Sequence, residues 1–193
     1  MTKTLTALFD RYEDAEAAVS RLERAGVPQD DISIVAHNGD GRHKTLDGAA
    51  ASPAAADAES GAEIGAAVGG IGGLLAGLGL LVIPGLGPVA AAGWLGSTIL
   101  GALGGAVVGG AAGGLVGALT DAGVPEADAN VYAEGVRRGG SLVSARVEDR
   151  LEDTARAILD GDTSVDLAER GSMYRSEGWT RFDPEAPDYN RAM

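Results

Sequence analysis

Side chains that could carry out acid–base or metal chemistry are few in this sequence, and their spacing does not favour it. His37 and His43 are the only histidines, and the segment NGDGRHKTLD around His43 lacks the ligand pattern of a calcium loop. A metal site would need further ligands at suitable spacing, so we expect both histidines at the surface. The chain has no cysteine, which excludes disulfides, thiol catalysis and cysteine-bound metals.

Paired carboxylates occur at 13–14 and 152–153, each at the start of a predicted helix. The helix dipole explains acidic residues there without any catalytic role. Glycine-rich strings are frequent, but none follows a strand inside a β-α-β unit, as dinucleotide binding would require. We therefore expect no enzymatic activity, no cofactor and no small-molecule substrate.

The formal net charge is −13, which argues against nucleic acid as a partner. The charge is unevenly distributed, because the 57 positions from 64 to 120 carry none, and these positions hold 19 of the 31 glycines. The sequence outside this block has the composition of an ordinary acidic soluble protein. The N-terminal apolar run is too short for a secretory signal, so we expect synthesis in the cytoplasm without export.

Two predicted β-α-β units flank the uncharged block, and DRYEDAEAAV in the first aligns without gaps on DRLEDTARAI in the second. Alternating apolar residues indicate the strands, and apolar residues along one face indicate the helices. Two such units predict an α+β fold, a ferredoxin-like βαβ-βαβ sandwich interrupted by a long insertion. The predicted elements are strand 4–10, helix to about 24 and strand 31–38, then strand 141–147, helix 151–160 and strand 164–169.

This interpretation divides the chain into four parts. A split ferredoxin-like domain covers 1–38 plus 125–170, and its second half opens with a helix over 125–138. Residues 39–62 form a flexible linker rich in Ala, Gly, Asp and Ser. Residues 63–120 form a glycine-zipper helical hairpin, and 171–193 form a C-terminal tail that contains aromatic residues.

The predicted hairpin has helical arms over 64–83 and 89–119, separated by PGLGP. Its turn residues are Pro84, Gly85, Gly87 and Pro88, because prolines and glycines this dense break a helix. Glycines spaced four apart place a smooth stripe along one face of each arm, which lets another helix approach closely. The glycines assigned to helix packing and oligomerisation are Gly65, Gly69, Gly73, Gly77, Gly93, Gly101, Gly105, Gly109, Gly113 and Gly117.

The sequence leaves two surroundings open for this hairpin. The length of the first arm and its lack of charge favour insertion into, or association with, the inner face of the cell membrane, with lipid as a partner. The alternative is a soluble cytoplasmic assembly whose hairpins form a shared core. In both cases we expect a homo-oligomer, because a solitary soluble copy would expose a broad apolar face.

Two further features have alternative interpretations. Arg137 and Arg138 either compensate the helix dipole at a C-terminus or pair with acidic neighbours or lipid head groups. The tail is either a frayed terminus or a strap that docks on a neighbouring subunit. The possible anchors of such a strap are Tyr174, Trp179, Phe182 and Tyr189.

The order of three segments resembles the bacterial general stress protein family, whose members include heat-induced stress proteins. These segments are TLTALFDRYEDAEAAVSRLERAGVPQDDISIV, LLVIPGLGPVAAAG and AGVPEADANVYAEGVRRGGSLVSARV, within residues 4–170. The most specific pieces are IPGLGP and YAEGVRRGG, residues 132–140. The resemblance implies a ferredoxin-like domain with a glycine-zipper insertion and a role in stress, and it provides no catalytic motif.

Overall fold

The computed structural model of the chain describes residues 2–38, 79–83, 86–104, 113–186 and 189. Five strands form one sheet in the order β1-β5-β2-β4-β3, and every neighbouring pair is antiparallel. Strands β1 and β2 are therefore parallel to each other, with β5 between them. The strands are β1 (Thr2–Phe9), β2 (Ile32–His37), β3 (Gly79–Ile83), β4 (Gly87–Gly93) and β5 (Ser141–Glu148).

Helices cover both faces of this sheet. Helices α1 and α5 pack on one face, while α2 and α4 pack on the other, where α6 lies against α4. Short 3-10 turns at Gln29–Asp31 and Asp149–Leu151 and a π-helical turn at Gly113–Gly117 connect the larger elements. The α-helices are α1 (Tyr12–Arg24), α2 (Trp94–Gly104), α3 (Ala118–Asp121), α4 (Glu126–Arg137), α5 (Glu152–Leu159) and α6 (Leu167–Ser176).

The hydrophobic core has one part on each side of the sheet, because successive side chains of a strand point to opposite faces. In β1, Phe9 packs under α1 and α5, whereas Leu8 packs under α2, α3 and α4. In β5, Val143 and Leu142 divide in the same way. A sheet buried on both faces needs nearly continuous apolar runs, which the sequence has in β4 and, apart from Ser33, in the buried part of β2.

The prediction of an α+β fold with an antiparallel sheet and packed helices is confirmed. Strands β1, β2 and β5 and helices α1, α4 and α5 lie within a few residues of their predicted bounds. The predicted linker over 39–62 lies outside the described residues. Helices lie on both sheet faces, whereas the predicted sandwich has them on one face.

The prediction of two helical arms is wrong at 79–83 and 89–93, because the PGLGP turn there joins two strands, β3 and β4. Leu86 N donates to Ile83 O at 3.0 Å inside this turn. Pro84 and Gly85 lie outside the described residues, whereas Gly87 and Pro88 begin β4. Strand β4 pairs with the edge of β2 that faces away from β5. This pairing satisfies backbone N–H and C=O groups of β2 that a helix in the same place would leave unpaired. The predicted second arm therefore becomes helical only from Trp94.

The predicted fourth strand over 164–169 is also wrong. Within 164–169, pairing with the sheet is limited to a single bridge from Ser164 to Phe9 and a hydrogen bond of 2.8 Å from Val165 N to Leu8 O, and helix α6 begins at Leu167. Asp166 caps this helix, because its side chain accepts a hydrogen bond of 2.8 Å from Glu169 N.

Candidate functional site

The segment YAEGVRRGG, residues 132–140, forms the C-terminal half of α4 and the turn that leads into β5. Its glycines let this helix approach β1 closely. A Cβ on Gly135 would overlap the buried Leu8 side chain, and a Cβ on Gly140 would lie 2.9 Å from Gly135 O. Gly139 has a φ of +105°, which ends the helix in the left-handed region. The segment therefore holds α4 against the sheet.

Glu134 is the centre of a charged cluster on α4, with only 1% of its side chain exposed. Arg137 donates to both carboxylate oxygens, with Nε 2.8 Å from Oε2 and Nη2 2.7 Å from Oε1. Arg138 Nε adds a third bond, of 2.6 Å, to Oε1. The two cations balance a charge that would be costly to bury alone, and the carboxylate fixes both guanidinium groups in place.

The arginines therefore pair with acidic neighbours, as one of the two interpretations expected. Glu177, just after α6, binds the Nη1 atom of Arg138 from the other side. Sequence reasoning did not single out Glu134. The signal that could have found it is local, because a glutamate three and four residues before two arginines lies on the same helix face as both of them.

Aromatic side chains from the end of the chain cover these two arginines. The guanidinium carbon of Arg138 lies 4.1 Å from the ring centre of Tyr174 and 4.9 Å from that of Tyr189, which also lies 5.5 Å from Arg137. Trp179 meets Tyr174 edge to face, with ring centres 5.8 Å apart. These distances are those of cation–π and aromatic contacts.

All four predicted tail anchors thus lie against their own chain. Tyr174 is 1% exposed inside α6, and Phe182 packs against the core while its backbone N donates to Asn130 Oδ1 at 3.0 Å. Tyr189 is the most exposed anchor, at 39%. We call residues 177–186 together with Tyr189 the tail strap and the α4 surface formed by Asn130, Arg137 and Arg138 its acceptor.

The predicted glycine stripe is only partly described. Gly93 ends β4 with a φ of +83°, where a Cβ would lie 2.8 Å from Ser33 Cα and would overlap Ile32 O. Gly101 lies in α2, and Gly113 and Gly117 lie in the π-helical turn. The structural role of Gly93 is therefore a close approach between strands β4 and β2. Outside the described residues lie Gly65, Gly69, Gly73, Gly77, Gly105 and Gly109.

Neither a metal-binding cluster nor a membrane-spanning helix occurs within the described ranges. There, no group of three His, Asp or Glu side chains is arranged to hold a metal ion. None of the helices in those ranges is long and apolar enough to cross a membrane. His37 ends β2, and its ring Nδ1 is buried without a hydrogen-bond partner, whereas His43 lies outside the described residues.

Tyr132 ties the acceptor helix to the sheet, and its loss gives a measurable effect. Its hydroxyl donates to Thr6 O at 2.7 Å, and the residue is 8% exposed. Replacing Tyr132 with Phe leaves that carbonyl without its partner and should lower the free energy of unfolding by about 1 kcal/mol. Urea unfolding at pH 7 measures this, and an unchanged midpoint would contradict the bond.

The same variant should change stability at alkaline pH. Burial, aided by Asp128 and Asp160, raises the pKa of Tyr132 above its ordinary value of 10.0. The folded chain keeps this proton where the unfolded chain loses it, so the stabilisation is complete below pH 10.0 and is lost as the pH rises further. Burial and Glu16 also raise the pKa of Tyr12, to about 12. In Tyr132→Phe the fall of unfolding free energy with alkaline pH should therefore become shallower without disappearing. An unreduced slope would contradict the assignment.

Comparison with known proteins gives one match. Residues 4–81 match the family model of the heat-induced stress protein YflT domain. This range contains β1, α1, β2 and the start of β3, whereas the acceptor and the tail strap lie beyond it. No curated protein and no solved structure matches the chain. Over residues 4–81 the chain is therefore similar to the heat-induced stress protein YflT domain, as its resemblance to the bacterial general stress protein family predicts.

Proposed function

We propose that this chain is a stress-related, non-enzymatic protein that associates with copies of itself through the uncharged segment 64–120. The family match supports the stress-related role. The observation that carries self-association is the absence of any charge from 57 consecutive positions in a chain of net charge −13. Charged residues keep protein surfaces apart in solution, so a segment this long without them is suited to contact with another copy.

The described part of the segment restricts where that contact can lie. Seven large apolar side chains between positions 83 and 119 are at most 1% exposed, so they serve the core of their own copy. They are Ile83, Leu86, Val89, Leu95, Ile99, Leu115 and Leu119. The contact with another copy is therefore assigned to the remaining glycines of the stripe and to the outer edge of β3.

Strand β3 supports this assignment because it is the last strand of the sheet. Among the described residues only β4 pairs with it, and its sequence, GLLVI, contains no charge and no proline. Charged residues and prolines are the usual features by which edge strands avoid pairing with other molecules. An edge without them suits a second copy of the same strand.

Protein, rather than lipid, is the proposed surrounding of the contact. Lipid would be favoured if the apolar residues of the segment faced outward along uninterrupted helices. The burial of Ile83 and Val89 inside the sheet core instead favours packing against protein. The alternative is that the segment lies in a membrane. Native mass measured with and without detergent distinguishes this alternative from a contact surrounded by protein.

We also propose a ferredoxin-like core for the fold. The order β1-β5-β2, with α1 and α5 on one face, supports it. Ser164 pairs with β1 where such a core has its fourth strand, and β4 with β3 extends the opposite edge. In this arrangement the insertion between β2 and α4 adds two strands to the sheet rather than projecting from it.

Leucine in place of glycine tests the stripe directly. In a variant with Leu at Gly69, Gly73, Gly105 and Gly109, we expect a smaller native mass than that of the wild-type chain, because four bulky side chains would prevent close approach. The matched control places Leu at four exposed alanines outside the segment, Ala17, Ala127, Ala157 and Ala168. Equal masses for the wild type and the glycine variant would show that the stripe is not the contact.

A further inference from the structure

The tail strap and its acceptor form a contact between two separable parts of one chain. Gly178, at the junction of α6 and the strap, has a φ of +90° with no atom near its missing side chain. This glycine is a suitable hinge, because it turns the chain without packing against anything. Beyond it, five of the nine described strap residues are exposed, whereas Trp179, Phe182, Pro184 and Ala186 are partly buried.

Side chains rather than backbone pairing hold the strap in place. Beyond Gly178, the contacts of the strap include the hydrogen bond from Phe182 N to Asn130, the packing of Phe182 on the core and the stacking of Tyr189 on two arginines. Trp179 adds its edge-to-face contact with Tyr174. Glu177, at the hinge itself, adds the ion pair with Arg138. A few anchors separated by exposed residues are typical of a docked peptide.

The acceptor is organised by its own helix. Glu134 fixes the guanidinium groups of Arg137 and Arg138 by three hydrogen bonds that do not involve the strap. The position and orientation of the two cations are therefore the same whether the docked strap comes from the same chain or from another copy. A preorganised acceptor and a hinged ligand together make an intramolecular complex that a second copy can reproduce contact for contact.

We infer that, within an assembly, the tail strap of one copy docks on the acceptor of a second copy and links the two. This inference rests on the proposed self-association for one reason. A short tether gives the chain's own strap an effective concentration of about millimolar, so separate molecules in dilute solution close on themselves. Copies already held together by another contact bring a second strap to a comparable concentration, and exchange then costs little.

Disulfide trapping tests the exchange cleanly, because the chain contains no cysteine. Arg181 is exposed and precedes the backbone N that binds Asn130, so cysteines at these two positions report docking. The full-length double variant N130C/R181C loses the Asn130 bond but keeps the contacts of Tyr189 and Glu177 with the arginines, so we expect an intrachain disulfide. Its failure to form under oxidation would contradict docking of the strap on α4.

Two single variants, N130C and R181C, carry tags of different size and are mixed at concentrations where the chain self-associates. We expect a mixed disulfide dimer several times more abundant than with the matched control pair, R181C with T154C. Thr154 is more exposed than the half-buried Asn130, so random collision favours the control pair, and it lies on α5, across the sheet from the acceptor. The native mass of the same mixture is measured in parallel.

The outcomes separate the two proposals. An oligomeric mass with no excess of the N130C–R181C dimer over the control pair overturns strap exchange and leaves self-association intact. A monomeric mass at every concentration overturns self-association, and strap exchange with it. An oligomeric mass with the excess dimer supports both.

Discussion

Alanine in place of Gly93 should lower the free energy of unfolding by about 2–5 kcal/mol, the sum of left-handed backbone strain and overpacking. Gly93 has a φ of +83°, which side chains other than glycine rarely adopt. A Cβ there would also lie 2.8 Å from Ser33 Cα, in the backbone of β2, which cannot move without disturbing the centre of the sheet. Urea unfolding followed by circular dichroism measures the loss.

Gly123 provides the matched control for this substitution. Its φ of +92° imposes similar backbone strain, but no atom lies within 4 Å of a Cβ at that position. Gly123→Ala should therefore cost only the strain, about 1–2 kcal/mol. If Gly93→Ala is no more destabilising than Gly123→Ala, the close pairing of β4 with β2 is wrong.

Removal of the Glu134 carboxylate is expected to be as severe. Glu134→Ala leaves two guanidinium groups, each 13–14% exposed, without their shared counter-charge. Breaking a buried ion pair from one side costs about 3–5 kcal/mol, and we expect a loss of that size in thermal or urea unfolding. The arginines also lose their fixed orientation, so the strap should loosen and expose Trp179, which fluorescence quenching measures.

Glu126→Ala serves as the control on the same helix, because Glu126 is exposed in the first turn of α4. Its loss should cost no more than about 1 kcal/mol, the usual contribution of an acidic residue near a helix N-terminus. A Glu134→Ala variant with the stability of Glu126→Ala would contradict the role of the cluster. Retained shielding of Trp179 in an otherwise destabilised variant would separate the strap from the cluster.

Local signals in the sequence were sufficient for much of the fold. Helix α1 has acidic residues in its first turn, a buried stripe and a glycine after its end at Arg24. Helix α4 begins after Pro125 and ends before Gly139, and both signals are short-range. Such elements are predictable because the residues that start and stop them are adjacent in the chain.

The errors arose where distant pairing decides the structure. Glycines four apart suggested helix at 79–83 and 89–93, but β2 needs a neighbour along its free edge, and β4 fills that place with β3 beside it. The run LLVI before a turn is typical of a buried strand and was available as a signal. The helix at Leu167 was also signalled locally, because Asp166 and Glu169 have the spacing of a capping pair.

Only part of the charged cluster could be predicted from the sequence. Glu134, Arg137 and Arg138 have helix spacing, so their pairing follows from residues three and four apart. The rings of Tyr174 and Tyr189 come from later segments, and no local pattern specifies that they stack on these arginines. The place where the tail docks therefore could not be predicted from the sequence and is known from the structure.

Native mass measured over a concentration series tests the central claim, self-association through the uncharged segment, most directly. The monomer mass is 19.3 kDa. For the full-length wild-type chain without detergent, we predict a discrete multiple of that mass, unchanged when detergent is added. A mass of 19.3 kDa at every concentration would contradict self-association. An oligomer that forms only in detergent would contradict a contact surrounded by protein.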